Sequence, residues 1–285
     1  MAPSAMAFPV QILALLLTEH AREPFAGPVL IYGRQTVNCS FDDALWMFES
    51  LGIRPHLDGM SHPPPGAALD FARLVTLLGL GDATIFEADL NLPVAGELTG
   101  RFGLIVDAGT MENVFDLRRG MMNTAEMLRP GGRVVHVSPV DNYLNAGFVQ
   151  LSPTFYQDYY VENGFDEVHG LMVVRPRDGA ASKRWNVFAY DHAALGGVNS
   201  MFCSDDTQLA VYFTARKTAA STSERVPLQS YFARLSETQD TASAQYVLSY
   251  DPAAAKVTRV HDPASAAAKL ALFTPVFTLD LAARG

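Results

Sequence analysis

Residues 102–138 read FGLIVDAGTMENVFDLRRGMMNTAEMLRPGGRVVHVS, a strand, a helix and a second strand in succession. Phe102 to Ala108 (FGLIVDA) is an apolar run of a length that suits a buried strand. Thr110 supplies an N-cap for a helix running to about Leu128, Pro130-Gly131-Gly132 turns the chain, and Arg133 to Ser138 forms the second strand. Two strands joined through a helix make a right-handed β-α-β crossover, so they run parallel.

The pattern extends in both directions from this unit. Upstream, Gly27 to Gly33 (GPVLIYG) is a buried strand opening into a tight turn. Ser40 with Asp43 caps a helix that ends at Gly52. A proline-rich connection (Pro55 to Gly66) leads to a helix over Ala67 to Leu78, and Ala83 to Ala88 is a strand with Asp89 at its carboxyl end. Downstream, a loop containing Asp141-Asn142-Tyr143 precedes a helix that starts at Ser152-Pro153 and stops at Asn163-Gly164. Val168 to Val174 and Gln208 to Ala215 follow as strands. Strands alternating with helices predict an α/β fold, a mostly parallel sheet covered on both faces. With no helix between them, the last two strands form an antiparallel pair at the sheet edge. Three segments are expected: an N-terminal helix in 1–26, an α/β domain over 27–218, and an Ala/Ser/Thr-rich extension over 219–285 that wraps the domain or serves a homo-oligomer contact.

Composition narrows the partners. The 285 residues are 49% hydrophobic with net charge −9, and no run of Lys and Arg interleaved with aromatics tracks a phosphate backbone, so nucleic acid is excluded as a partner. Cys39 and Cys203 are too few for a disulfide framework or a thiolate metal site, which fits a reducing, cytoplasmic setting. Phe8 to Leu17 is apolar, but it has no basic flank and is shorter than the roughly 20 residues a membrane helix needs; it is read as a helix packed on the domain, with no membrane role. His56, Asp58 and His62 are spread over the proline-rich loop without a supporting cluster, so no metal site is expected.

Residues 102–165 resemble the second half of class I S-adenosylmethionine (SAM) methyltransferases. The likeness is to bacterial methyltransferase-like proteins with a D-x-G-T-x-E-H-V-F helix start, a GG turn and a P-x-N-x-x-x-x-G-F-x-Q-F-S-P loop. In this sequence those motifs stand at Asp107 to Phe115, Gly131-Gly132 and Pro139 to Pro153. The resemblance implies a Rossmann-like, doubly wound, seven-stranded sheet with an antiparallel edge strand, and SAM as cofactor. It places Gly33 and Arg34 at the methionyl part of SAM, Asp58 at the ribose, and Asp89 with Asn91 near the adenine. It also puts the strand end Asp107 to Thr110 and Glu112 beside the reactive methyl group, with His136, Asn142, Tyr143 and Asn145 toward a small-molecule or glycan acceptor. The sequence departs from the family in its first loop. SAM-binding members carry E/D-x-G-x-G-x-G, whose glycines let the backbone approach the ligand, whereas this chain has Tyr32-Gly33-Arg34-Gln35-Thr36. Either Arg34 pairs with the methionyl carboxylate, or Arg34 and Gln35 fill the site. Two functions follow: a SAM-dependent methyltransferase, or a methyltransferase-fold protein that no longer binds SAM and serves as a binding or scaffold subunit in a biosynthetic pathway.

Several of these residues also have ordinary structural readings. Glu112 in a first helical turn is favoured by the helix dipole whatever its role. His136, inside the apolar run Val134 to Val137, reads as a satisfied core histidine. Tyr156, Tyr159 and Tyr160 have helical spacing, which is the spacing of core packing.

Overall fold

The computed structural model describes residues 8–33, 35–81, 88–176, 184–192, 207–230, 232–233 and 274–280. In chain order the elements are β1 (Phe8–Pro9), α1 (Val10–Arg22), β2 (Val29–Ile31), β3 (Val37–Asn38), α2 (Phe41–Ser50), α3 (Phe71–Leu77), β4 (Phe102–Ala108), α4 (Leu117–Met127), β5 (Leu128–Asp141), α5 (Pro153–Glu162), β6 (Asp166–Pro176), β7 (Arg184–Tyr190), β8 (Thr207–Arg216) and β9 (Thr274–Asp280). Single 3-10 turns occupy Gly96–Leu98 and Met111–Asn113.

Seven strands form one sheet in the order β2-β4-β5-β8-β6-β7-β9. β2, β4 and β5 are mutually parallel, and the remaining four pairings are antiparallel. Five of the seven strands therefore point the same way, with β8 and β7 reversed. Side-chain alternation divides the core between the two faces. Leu104, Val106 and Val135 pack with α1, α2 and α3 on one face, while Ile105 and Val134 pack with α4 and α5 on the other. β2 obeys the same rule, sending Val29 to the first face and Leu30 and Tyr32 to the second. Gly103 is required where β2 enters the sheet: a Cβ there would meet the Ala26 carbonyl oxygen at 2.0 Å.

The sheet corrects one expectation about topology. The reversed strand β8 is not at the edge but inserted between β5 and β6. Leu209 to Ala215 is buried at every position, and a strand buried on both faces belongs inside a sheet. The far edge is formed instead by β7 and β9, neither of which stands out in the sequence; β9 comes from the 219–285 segment and runs antiparallel to β7. Within the same segment Thr222 and Arg225 bond to Asn163 at the end of α5, so the chain after β8 runs back along that helix. The predicted strand at 83–88 lies, apart from Ala88, outside the described residues.

Helix boundaries follow side-chain caps. Ser40 accepts from Asp43 N at 3.0 Å, and α2 begins where the capping pattern put it. α3 starts at Phe71 rather than Ala67, because Asp70 caps it through Arg73 N. The helix expected to run from Thr110 begins only at Leu117. Asp107 draws the Thr110 and Met111 amides into a 3-10 turn, and Asp116 caps the true start through Arg119 N. α1 is buried along most of its length in the first core cluster. Its end is pinned to the sheet by Glu23, which pairs with Arg133 and Arg216, while Glu167 and Asp166 bind the same two guanidinium groups. Among the described residues no helix is long and apolar enough to cross a membrane.

The carboxyl end of α4 is closed by a lysine from β8's exit. Lys217 Nζ donates to the carbonyls of Ala125 (2.6 Å) and Leu128 (2.8 Å), groups that a helix terminus leaves without partners. Lys217→Met should lower stability by about 1–3 kcal/mol, since it strands these carbonyls and removes a cation from the negative end of the helix dipole. Urea unfolding followed by circular dichroism measures this; a midpoint unchanged from wild type would contradict it.

Candidate functional site

A cavity of about 320 Å³ opens at the carboxyl ends of β2 and β4, the end at which open α/β sheets bind ligands. Its floor is apolar, with Leu30, Leu98, Val114 and Met127, and its polar rim is Gly33, Asp89, Asn91, Thr110 and Asn113. The rim is set from α4. Buried Asn123 donates to the carbonyls of Leu90 and Leu92, and Asn91 Oδ1 accepts from Asp116 N at the helix cap. Asp89 is thereby held at the mouth, its Oδ1 accepting from both the amide and the side chain of Asn91. These bonds hold its carboxyl below the usual range, so it is an anion at neutral pH. Among the described residues no donor reaches its Oδ2.

The β2 turn closes the inner wall. Gly33 has φ of 72°, a conformation glycine adopts freely, and a Cβ there would lie 3.2 Å from Thr110 Oγ1. Thr110 Oγ1 donates to Tyr32 O, and Gln35 Nε2 donates to Ala108 O at 2.9 Å and Tyr32 O at 3.3 Å. Gln35 thus laces the ends of β2 and β4 together, while its own Oε1 is buried with no partner among the described residues. The loop is braced from behind by the short parallel pair β1–β3. Arg34 lies outside the described residues.

Behind the cavity is a fully buried polar chain. His136 Nδ1 and Asp107 Oδ2 are 2.7 Å apart, His136 Nε2 and the Tyr160 hydroxyl also 2.7 Å, and the imidazole stacks on Tyr156 at 4.4 Å. Asp107 Oδ1 accepts the Thr110 and Met111 amides. Burial pushes both tyrosine phenols well above their usual range, so each keeps its hydrogen. With Asp107 accepting at Nδ1, the imidazole carries its hydrogen there and takes the Tyr160 O–H at Nε2. Asp107 and His136, singled out for the reacting centre and the acceptor, have no solvent-exposed surface; their polar atoms are spent on each other, on backbone amides and on α5. What the pair does chemically is fix the β4–β5 register and the start of the Thr110 turn.

Glu112 lies one turn beyond this chain and differs from it in kind. It is fully buried, yet neither carboxyl oxygen has a partner among the described residues. Burial, and after it the charge of Asp107, pushes its pKa up to about 8. The remaining sequence-predicted residues are dispersed. Asp58 sits exposed in the turn from Leu57 to Met60 and does not line the cavity, because the proline-rich connection is tied to α3 through His56 N and Leu77 O and to α2 through Gly66 N and Asp42 Oδ2. Asn142 and Asn145 are exposed turn residues at φ of 62° and 63°, which asparagine tolerates. Tyr143 is half-buried over the Arg175 guanidinium. Thr110, at the end of β4 where the resemblance set the reacting centre, lines the cavity, and Asn113 and Leu98 line it beside the expected residues. Of these last two only Asn113 carries a sequence signal, standing three positions after Thr110 in the same turn. Among the described residues no three His, Cys, Asp or Glu side chains gather in a metal-binding arrangement.

No protein-family profile and no curated protein matches the sequence. Solved structures do. Several of the solved structures it resembles are methyltransferases. A SAM-dependent methyltransferase from Thermotoga maritima is 13% identical with a TM-score of 0.39, over 73% of this chain and 90% of that one. The 1,6-didemethyltoxoflavin-N1-methyltransferase of Burkholderia thailandensis, solved with its substrate and S-adenosylhomocysteine, is 16% identical at 0.35, over 73% and 77%. The YcgJ protein from Bacillus is 12% identical at 0.40, over 73% and 99%. At these scores the resemblance adds no residue roles, and the site stands on its own geometry.

Proposed function

We propose that the protein binds SAM in the cavity at the carboxyl ends of β2 and β4 and is a methyltransferase for a small-molecule or glycan acceptor. The observation that carries this reading is the pairing of an apolar floor with an anchored, anionic Asp89 whose Oδ2 is unclaimed. Such a site suits an adenosine: the flat ring against Leu30, Leu98, Val114 and Met127, and hydroxyls donating to the carboxylate. Gly33 puts no side chain on the inner wall, and Arg34 is suited to the ligand's carboxylate. SAM supplies an electrophilic methyl on a sulfonium; the chain's own task is to hold donor and acceptor in line and keep water out. Asp107 and His136 act here as positioning residues, fixing the turn that carries Thr110 and Glu112.

A second reading is favoured by Gln35, whose amide bridges Tyr32 and Ala108 where the methionyl group would lie. On that reading the protein keeps the fold, excludes SAM and serves as a binding or scaffold subunit. Calorimetric titration with S-adenosylhomocysteine separates the two. The first reading expects measurable binding that weakens roughly tenfold or more in Asp89→Ala, the loss of a charge-assisted hydrogen bond. Absence of heat at millimolar ligand, with binding appearing in Gln35→Ala, would instead establish the plug.

A further inference from the structure

Glu112 is an unexplained expense in this fold. A fully buried carboxyl whose two oxygens have no partner among the described residues opposes folding, and a group kept under such conditions is a candidate for function. Its neighbours offer no relief. Asp107 on β4, Tyr156 on α5 and Tyr143 in the loop after β5 all face it, and all are acidic groups. The basic side chains nearby among the described residues have partners of their own: His136 is committed to Asp107 and Tyr160, and Arg175 to the Tyr143 and Trp185 rings and Gln208. Among the described residues no cation satisfies the carboxyl, and a ligand can supply one.

The cover over Glu112 suggests how one would arrive. The 142–149 loop lies directly on it: a Cβ on Gly147 would come within 2.7 Å of Glu112 Cγ, and the Phe148 amide donates to the Glu112 carbonyl at 2.8 Å. The loop turns at two left-handed asparagines and exposes Leu144 and Phe148. Phe148, 68% exposed, meets Phe115, 81% exposed, edge to face at 5.6 Å. An apolar rim therefore surrounds a buried acid under a single loop.

Within the methyltransferase reading, we infer that the methyl acceptor is an amine with an apolar body, which binds as its ammonium against the Glu112 carboxylate in the place the 142–149 loop now covers; Glu112 then takes one ammonium proton, and the freed nitrogen lone pair forms the N–CH3 bond as the S–CH3 bond breaks and its electron pair stays on sulfur. The apolar part replaces the loop's contacts with Phe115, and the ammonium gives the carboxyl the donors it does not have. Neutral hydroxyl acceptors of the same shape would leave the acid uncompensated.

The test is calorimetric titration of the full-length protein at pH 7.5 with phenethylamine and with 2-phenylethanol, its uncharged isostere, for wild type and Glu112→Gln. The inference expects the amine to bind wild type roughly tenfold or more tightly than the alcohol, a preference that Glu112→Gln erases. A ¹³C-carboxyl titration of Glu112 in wild type needs no variant: phenethylamine should lower its midpoint. Equal binding of the two probes, binding of neither at millimolar concentration, a preference retained in Glu112→Gln, or an unmoved midpoint would each overturn it. The cofactor reading fails separately. If S-adenosylhomocysteine gives no heat while the amine arm succeeds, the amine site stands without the methyltransferase; if S-adenosylhomocysteine binds and the amine arm fails, only the acceptor class is wrong.

Discussion

His136→Leu should lower unfolding free energy by about 3–5 kcal/mol, among the largest single effects expected in this protein. The leucine fits the apolar surroundings of Val134 and Tyr156, so the loss comes from Asp107, left in the core without the donor to its Oδ2. Tyr160 loses its hydrogen-bond partner on α5 as well. Asp107→Asn should be costly for the converse reason, because its amide would face the hydrogen on His136 Nδ1. The two losses should not add: the double variant should fall short of their sum by 1 kcal/mol or more, roughly the coupling of groups in one network. Chemical denaturation of the three variants measures this. A His136→Leu loss under about 1 kcal/mol would show that the pair contributes little to folding.

The second large effect is a dependence on pH. Glu112 titrates at about 8 in the folded protein, raised first by burial and then by the Asp107 charge, against an ordinary glutamate value in the unfolded chain. The folded state therefore holds an extra proton between these values. Stability on this account is fully present below the unfolded pKa and is lost as pH rises toward 8, flattening above it. The full shift corresponds to roughly 5 kcal/mol as an upper limit. Glu112→Gln removes the titration, so wild type minus variant should become steadily less favourable to wild type from pH 5 to about 8. Asp107, Tyr143 and Tyr156 face this carboxyl; the phenols stay protonated through the window, since burial raises both. Parallel pH profiles for the two proteins would refute the assignment to Glu112. A variant stabler than wild type near pH 8, yet unable to prefer an amine, would mark Glu112 as kept for binding at a cost in folding.

How much of this was legible in the sequence differs from element to element. β4, β5 and β8 could be placed because apolar runs bounded by Gly, Pro and polar residues are local signals, and α5 because Pro153 and Asn163-Gly164 mark its two ends. Asp89 at the cavity mouth was legible for the same reason, as the acid that follows an apolar stretch. Thr110 misled, since a good N-cap is only a preference, and the Asp107 carboxyl, three positions earlier, captured its amide for a 3-10 turn.

The sequence by itself determined the alternation of strands and helices, the two buried faces and the acids near the carboxyl ends of the strands, because burial and capping act within a few residues along the chain. Tertiary structure alone decided that β8 is central, that β9 closes the edge, that Gln35 reaches Ala108 and that His136 meets Asp107 and Tyr160 across separations of 29 and 24 positions. It also decided that Glu112 meets no donor among the described residues. Partnerships of this kind depend on sheet register and on which helix covers which face, and both are settled only when distant segments pack.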